Sequence, residues 1–260
     1  MISSQEKKYF KKLSFWLIIV IFLAVAAFTY INRSYAYIYY RISMANLKSV
    51  DSARNYLIVN NQTATSSLVY AALGDSLTSG VGANKYSQSY PYLLAQYLAG
   101  NDYQVTLKDY SVPGARTQDL LDGLLPGAIK ANPDVVTILI GVNDIHGKIS
   151  TQEFAANYEE ILSRLTKETR AKIYIINIPF IGANSLIWQP HRYLYQARTN
   201  EFNKIIKQLA SKYQVNYLDL YTSTYLLLRE SGIHYSDDLF HPSAEGYKIW
   251  ADLIYADFNK

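Results

Sequence analysis

The chain has 260 residues, half of them apolar, enough for one medium-sized domain with a buried core and one further element. Its formal charge of +4 is concentrated at the start, where Lys7, Lys8, Lys11 and Lys12 against Glu6 supply about three units. The remainder is near neutral and gives no electrostatic ground for a nucleic-acid partner. With no cysteine, disulfides, thiolate catalysis and Cys-ligated metals are excluded, while secretion stays open because a domain of this size folds without disulfide staples.

Residues 13–31, LSFWLIIVIFLAVAAFTYI, contain no charge and are long enough as a helix to cross a hydrocarbon core about 30 Å thick. Lysines precede the run and Trp16 and Tyr30 lie near its ends, so the positive-inside rule places residues 1–12 in the cytoplasm and the bulk of the chain outside. The expected localisation is a single-pass cell-membrane protein. A cleaved signal peptide is the alternative, since Ser34-Tyr35-Ala36 offers small residues at peptidase spacing. The run exceeds a signal core of about 7–15 residues, which favours an uncleaved anchor. Residues 32–67, with scattered tyrosines and a polar tract at 60–67, read as a juxtamembrane linker. The globular domain then occupies 68–260.

Within that domain, strand-like and helix-like segments alternate. Residues 67–73 read as a buried strand stopped by Gly74, 91–98 as a helix, 104–110 as a strand and 117–125 as a helix. DVVTILI at 134–140 is a continuous apolar run, the pattern of a strand covered on both faces. An amphipathic helix over 151–169, a strand at 172–178 ended by Pro179, a helix over 193–212, a strand at 215–220 and a closing helix over 243–257 complete the order. This alternation predicts an α/β fold with a parallel sheet covered on both faces, whose functional residues gather at the carboxyl ends of the strands.

Four segments meet that expectation. Gly74-Asp75-Ser76 places a serine where the first strand of the domain stops, and a serine nucleophile needs a base, an orienting acid and an oxyanion site. Gly114 follows the next strand and can aim its amide at a reacting oxygen. Asn143 follows DVVTILI and carries an NH₂ of the type that stabilises oxyanions. Near the C-terminus Asp238 lies three residues before His241, so it can fold back onto one imidazole nitrogen and leave the other facing the serine. Asp237 competes with Asp238 for this role. Asp75 and Asp144 read as structural acids that hold loops through backbone hydrogen bonds, and His146 and His234 as surface or packing histidines.

These four blocks, GDSLTSG, the glycine block at Gly114, PDVVTILIGVND and DDLFHPSAEGY, resemble in order those of the SGNH, or GDSL, family of serine esterases and lipases. The resemblance spans about residues 68–258. It implies a three-layer α/β/α, flavodoxin-like fold behind the transmembrane helix and an ester hydrolase with Ser76 as nucleophile, His241 as base and Asp238, selected by the family spacing, as orienting acid. It also implies an oxyanion hole from the Ser76 and Gly114 amides and the Asn143 side chain, with no cofactor and no metal. Many members carry Asn and Gly where this chain has Asp109 and Ser111. Residues 180–198, with Trp188, His191 and Arg192, match no block; they are placed to overhang the site, and Trp188 and His191 are the candidate substrate-binding residues. The expected partners are a small-molecule, lipid or glycan ester and, through the N-terminal helix, the membrane. Lipid-like or short-chain esters, O-acetyl groups of surface glycans, transfer to a sugar hydroxyl, and a non-catalytic binding module on the same fold are the readings to be separated.

Overall fold

A computed structural model describes residues 4–43, 55–59, 66–100, 103–183, 185–230 and 234–258. The chain divides into two compact units, Met1–Ser43 and Met44–Lys260.

The first unit is one helix, α1 (Ser4–Ser43), whose apolar stretch is long enough to cross a membrane. At 1.5 Å per residue it runs about 60 Å, roughly twice a hydrocarbon core, so the helix extends past the uncharged run on both sides. Polar residues are tolerated along it because they bond back to carbonyls one turn earlier: Ser14 Oγ to Phe10 O, Thr29 Oγ1 to Val25 O and Asn32 Nδ2 to Phe28 O, each at 2.8 Å.

The second unit is built on a six-stranded sheet of β1 (Asn55–Val59), β2 (Ser66–Gly74), β3 (Tyr103–Ser111), β4 (Val135–Leu139), β5 (Lys172–Ile176) and β6 (Asn216–Leu218), in the order β1-β3-β2-β4-β5-β6. From β3 to β6 all pairings are parallel, as the alternating pattern predicts. The chain moves from β2 to β3 on one side and then returns to β4 on the other, so the ends of β2 and β4 flank a topological switch point, where open α/β sheets bind ligands.

One strand departs from the sequence expectation. β1 pairs antiparallel with β3 (Asn55 opposite Lys108, Val59 opposite Gln104) inside the stretch that composition reads as linker. Its side chains alternate over residues 55–58 as at a half-covered edge: Ile58 is buried, Leu57 is 68 % exposed, and Tyr56 stacks on Tyr86 with ring centroids 4.6 Å apart. A signal this short is lost among tyrosines and polar residues. The tract at 60–65 lies outside the described residues.

Helices cover both faces. α2 (Tyr90–Ala99) packs with α9 (Ala244–Phe258) on one side, and α6 (Thr151–Glu168) with α7 (His191–Tyr213) on the other. Pro91 in the first turn starts α2, and Ser150 caps α6 by accepting from Glu153 N at 3.1 Å. α3 (Thr117–Asp119), a π-helical turn at Leu120–Leu124 and α4 (Leu125–Lys130) make up the crossover predicted as one helix; α5 (Val142–His146) and α8 (Leu220–Glu230) are additional. The core is the run of β2 and β4 side chains with stacked aromatics between helices, Phe154 on Phe202 at 4.1 Å, and Trp250 and Tyr247 fully buried on α9. The Tyr247 hydroxyl donates to Val81 O at 2.8 Å and so ties α9 to the loop that follows β2.

If β1 is part of the domain, Ile58→Ala should lower the urea stability of the detergent-solubilised chain by about 2–5 kcal/mol, the cost of emptying a core position. An unchanged unfolding midpoint would return this segment to a linker.

Candidate active site

The elements above bring the predicted residues to one edge of the sheet. Ser76 follows β2 in a turn closed by the Thr78 and Ser79 amides on Asp75 O (3.2 and 2.9 Å) and by Val81 N on Ser76 O (3.0 Å). His241 Nε2 lies 3.0 Å from Ser76 Oγ, and His241 Nδ1 lies 2.6 Å from Asp238 Oδ2. All three are largely buried, at 8 %, 4 % and 5 % exposure. The other Asp238 oxygen accepts from Ser236 Oγ (2.8 Å), Phe240 N (2.8 Å) and His241 N (2.9 Å). Burial alone raises this carboxyl, but the His241 ring and these backbone donors outweigh it and hold Asp238 below the usual carboxylate range. It is therefore an anion beside the imidazole at neutral pH. Asp237 is exposed on the same turn, which leaves Asp238 as the acid against the ring.

The two blocks between complete the edge. Gly114 sits at φ +86 with open space where a side chain would stand, in a turn closed by Ala115 N on Val112 O at 3.0 Å. Val112 N donates to Gly74 O at 3.2 Å, which draws this loop to the end of β2. Asn143, in α5, donates from Nδ2 to Ala115 O at 3.0 Å, which uses one amide hydrogen and leaves the second available. Among the described residues, neither the Ser76 nor the Gly114 N–H is used on a protein acceptor. Donors of these three kinds, on loops tied to one another at the end of β2, are of the type that stabilises a developing oxyanion.

Several contributors carry no pattern of their own in the sequence. Asp109 and Ser111, the departures from the family's second block, form a buried chain: Ser111 Oγ donates to Asp109 Oδ1 at 2.5 Å and meets Ser79 Oγ at 2.7 Å. Gly82, at φ +97, lies so close to the His241–Pro242 turn that a Cβ there would stand 2.4 Å from Pro242 O and 2.9 Å from His241 Cβ. His146, one turn after Asn143, is solvent-exposed yet lies against Phe240 and Tyr195, with centroids 5.5 and 5.6 Å away, at the rim beside His241. Trp188, on the connection from β5 to α7, and His191, the first residue of α7, are half-buried at the same edge. That connection reaches the Asp238–His241 turn at Ala183, whose N–H donates to Leu239 O at 2.7 Å. A polar cleft of about 370 Å³ between residues 82–84 and the first turn of α9 borders Asp238, but Ser76, Gly114 and Asn143 do not line it.

Asp144 and Asp75 hold backbone. Asp144 accepts from Thr117 N (3.1 Å) and Thr117 Oγ1 (2.6 Å), linking the second and third blocks, and Asp75 Oδ1 accepts from Leu77 N at 2.9 Å. Asp75 is wholly buried, its Oδ2 meets no partner among the described residues, and desolvation with the nearby Asp144 charge pushes its carboxyl up to about 7.

Residues 72–249 match the GDSL-like lipase/acylhydrolase family. The chain belongs to that family. It is a carboxylic ester hydrolase, and it is similar to the spore germination lipase LipC of Bacillus licheniformis, 26 % identical over 215 residues that cover 73 % of this chain and 95 % of LipC. Two solved structures share the fold: the lipase/acylhydrolase of Enterococcus faecalis (TM-score 0.57, 22 % identity, 74 % of this chain and 95 % of that one) and the acetylxylan esterase Axe2 of Geobacillus stearothermophilus (TM-score 0.61, 17 % identity, 76 % and 97 %).

The raised Asp75 carboxyl has a consequence for this hydrolase with a definite sign. Folded Asp75 keeps a proton that the unfolded chain releases near its ordinary value of 3.8, so the folded state binds more protons between that pH and about 7. Stability is then fully present below the lower value and falls as pH rises towards the upper, by roughly 4 kcal/mol in total. Asp75→Asn should flatten urea midpoints measured from about pH 5 to 8, whereas parallel wild-type and variant profiles would remove Asp75 as the cause.

Proposed function

We propose that this family member is a membrane-anchored, extracytoplasmic serine ester hydrolase that works through an acyl-enzyme on Ser76. The observation that carries the reading is the continuous relay Ser76 Oγ, His241 Nε2, His241 Nδ1 and Asp238 Oδ2, at 3.0 and 2.6 Å. In this mechanism Ser76 Oγ attacks the ester carbonyl while His241 Nε2 takes its proton, and the Asp238 anion stabilises the imidazolium. Charge on the carbonyl oxygen is met by the Ser76 and Gly114 amides and Asn143 Nδ2, one such donor being worth about 2.7–4 kcal/mol of transition-state stabilisation. His241 then protonates the departing alcohol, and water, activated by the same imidazole, releases the acid and restores Ser76.

Among substrates, lipid-like and short-chain acyl esters come first. The named lipase among the relatives and the membrane-spanning capacity of α1 both support that choice. The orientation follows from the lysines before the apolar run, which favour a cytoplasmic N-terminus. Trp188 and His191 are proposed to border the substrate from the β5–α7 connection.

The purified chain should hydrolyse p-nitrophenyl acetate and butyrate and be labelled by a fluorophosphonate at Ser76. Ser76→Ala should abolish both, and Asn143→Ala should lower kcat about 10²–10³-fold; equal turnover by Ser76→Ala would sink the mechanism. A panel of graded acyl esters alongside acetylated glycans, with product analysis for free acid or transfer, separates the substrate readings. Because the chain has no cysteine, Ser87→Cys and Lys8→Cys test the topology directly. An impermeant maleimide on intact cells should label the first and spare the second, and the reverse pattern would overturn the orientation.

A further inference from the structure

Arg192 belongs to the 180–198 segment, which matches no family block. Its guanidinium is buried, at 6 % exposure, and among the described residues no carboxylate forms an ion pair with it. A buried charge without a counter-ion is costly unless its N–H groups find acceptors, and four of the five do so here. Here Nε donates to Ile187 O (3.1 Å), Nη1 to Ile181 O (3.1 Å), and Nη2 to Gly182 O (2.5 Å) and Ala183 O (2.9 Å). Its central carbon lies 4.8 Å from the centroid of the Phe180 ring, a cation–π contact. The rigid fork of one side chain thus gathers four carbonyls of the β5–α7 connection, which a lysine's point charge cannot reproduce.

That connection meets the Asp238–His241 turn through a backbone hydrogen bond. Ala183, whose carbonyl Arg192 holds, donates its N–H to Leu239 O at 2.7 Å. Leu239 stands between Asp238 and His241 in the left-handed region, at φ +63, a conformation that costs a leucine about 1–3 kcal/mol and persists only where its surroundings enforce it. From the other side Leu239 N donates to Ser236 O at 2.9 Å. Phe240, next in the turn, packs its ring 5.1 Å from that of His241. The turn that aims the imidazole at Ser76 is therefore gripped by its own Ser236 on one side and by the Arg192-clamped connection on the other.

We infer that Arg192 is a positioning residue for the hydrolytic reaction: by clamping the carbonyls of residues 181–183 and 187 it fixes the Ala183–Leu239 bond and, through it, the Asp238–His241 geometry. The inference rests on the proposed Ser76 mechanism for its kinetic consequence but not for its structural one.

The test uses the full-length chain in detergent micelles, with Arg192→Lys as the main variant and Arg192→Met as the severe one. Two readouts are taken. Fluorophosphonate titration counts competent sites, and kcat is expressed per titrated site. Arg192→Lys should keep its titratable fraction, lose kcat roughly 10- to 100-fold, as a misplacement of reacting groups does, and change KM by less than about threefold. The low-field proton resonance of His241 Nδ1, which exists whether or not Ser76 is a nucleophile, should move or broaden in Arg192→Lys and stay in place in the surface variant Lys248→Ala. A wild-type kcat per site, a loss accounted for entirely by fewer titratable sites, or an unmoved Nδ1 proton would each overturn the inference. Absence of wild-type labelling at Ser76 would instead overturn the proposed mechanism, and the proton resonance would still decide the role of Arg192.

Discussion

The constraint on which this site depends is the carboxylate of Asp238, which collects four donors from residues 236–241. Ser236 Oγ and the amides of Phe240 and His241 converge on one oxygen, and His241 Nδ1 takes the other. Each charge-assisted bond fixes both the turn and the charge state of the acid, and the ring is oriented as a by-product of satisfying a buried anion. Everything else at the edge is arranged to meet that ring. Gly82 lets the loop after Ser76 lie against it, Tyr247 fastens that loop to α9, and the β5–α7 connection braces the turn from the far side.

The loops of the site are held chiefly to one another. Thr117 of the second block is bonded to Asp144 of the third, Asn143 to the Ala115 carbonyl, and Val112 to the end of β2. A network in which each polar group is both support and load specifies one geometry more narrowly than apolar packing does. It also accounts for the departure at Asp109 and Ser111. These residues bond to each other and to Ser79, so the departure in residue type is accommodated by a buried hydrogen-bond chain behind the Ser76 turn, with open space left at Gly114.

The legible parts of the chain were those with a local physical signature. DVVTILI has the pattern of a buried strand, the alternation of segments predicted a parallel sheet, and the charge-free run at 13–31 is the length of a bilayer span. The acid three residues before a histidine is likewise a short-range device, closed within one turn. β1 was hidden because five residues at a sheet edge alternate too briefly to be distinguished from a linker. The role of Arg192 was hidden because carbonyl acceptors leave no trace in side-chain identity.

The sequence by itself thus determined the fold class, the membrane-spanning capacity of the first helix and the residue types of the candidate site, since periodicity, length and local spacing are properties of the chain. What only the tertiary structure decided is their conjunction. Ser76 and His241 are 165 positions apart and meet at 3.0 Å because the strand order places the end of β2 at the switch point and α9 delivers the last loop back to it. Which carboxyl is held as an anion and which is driven towards neutrality is decided there too: both are buried by tertiary packing, but Asp238 has the donors of its own turn to outweigh burial, whereas Asp75 is shut off from solvent with the Asp144 charge nearby.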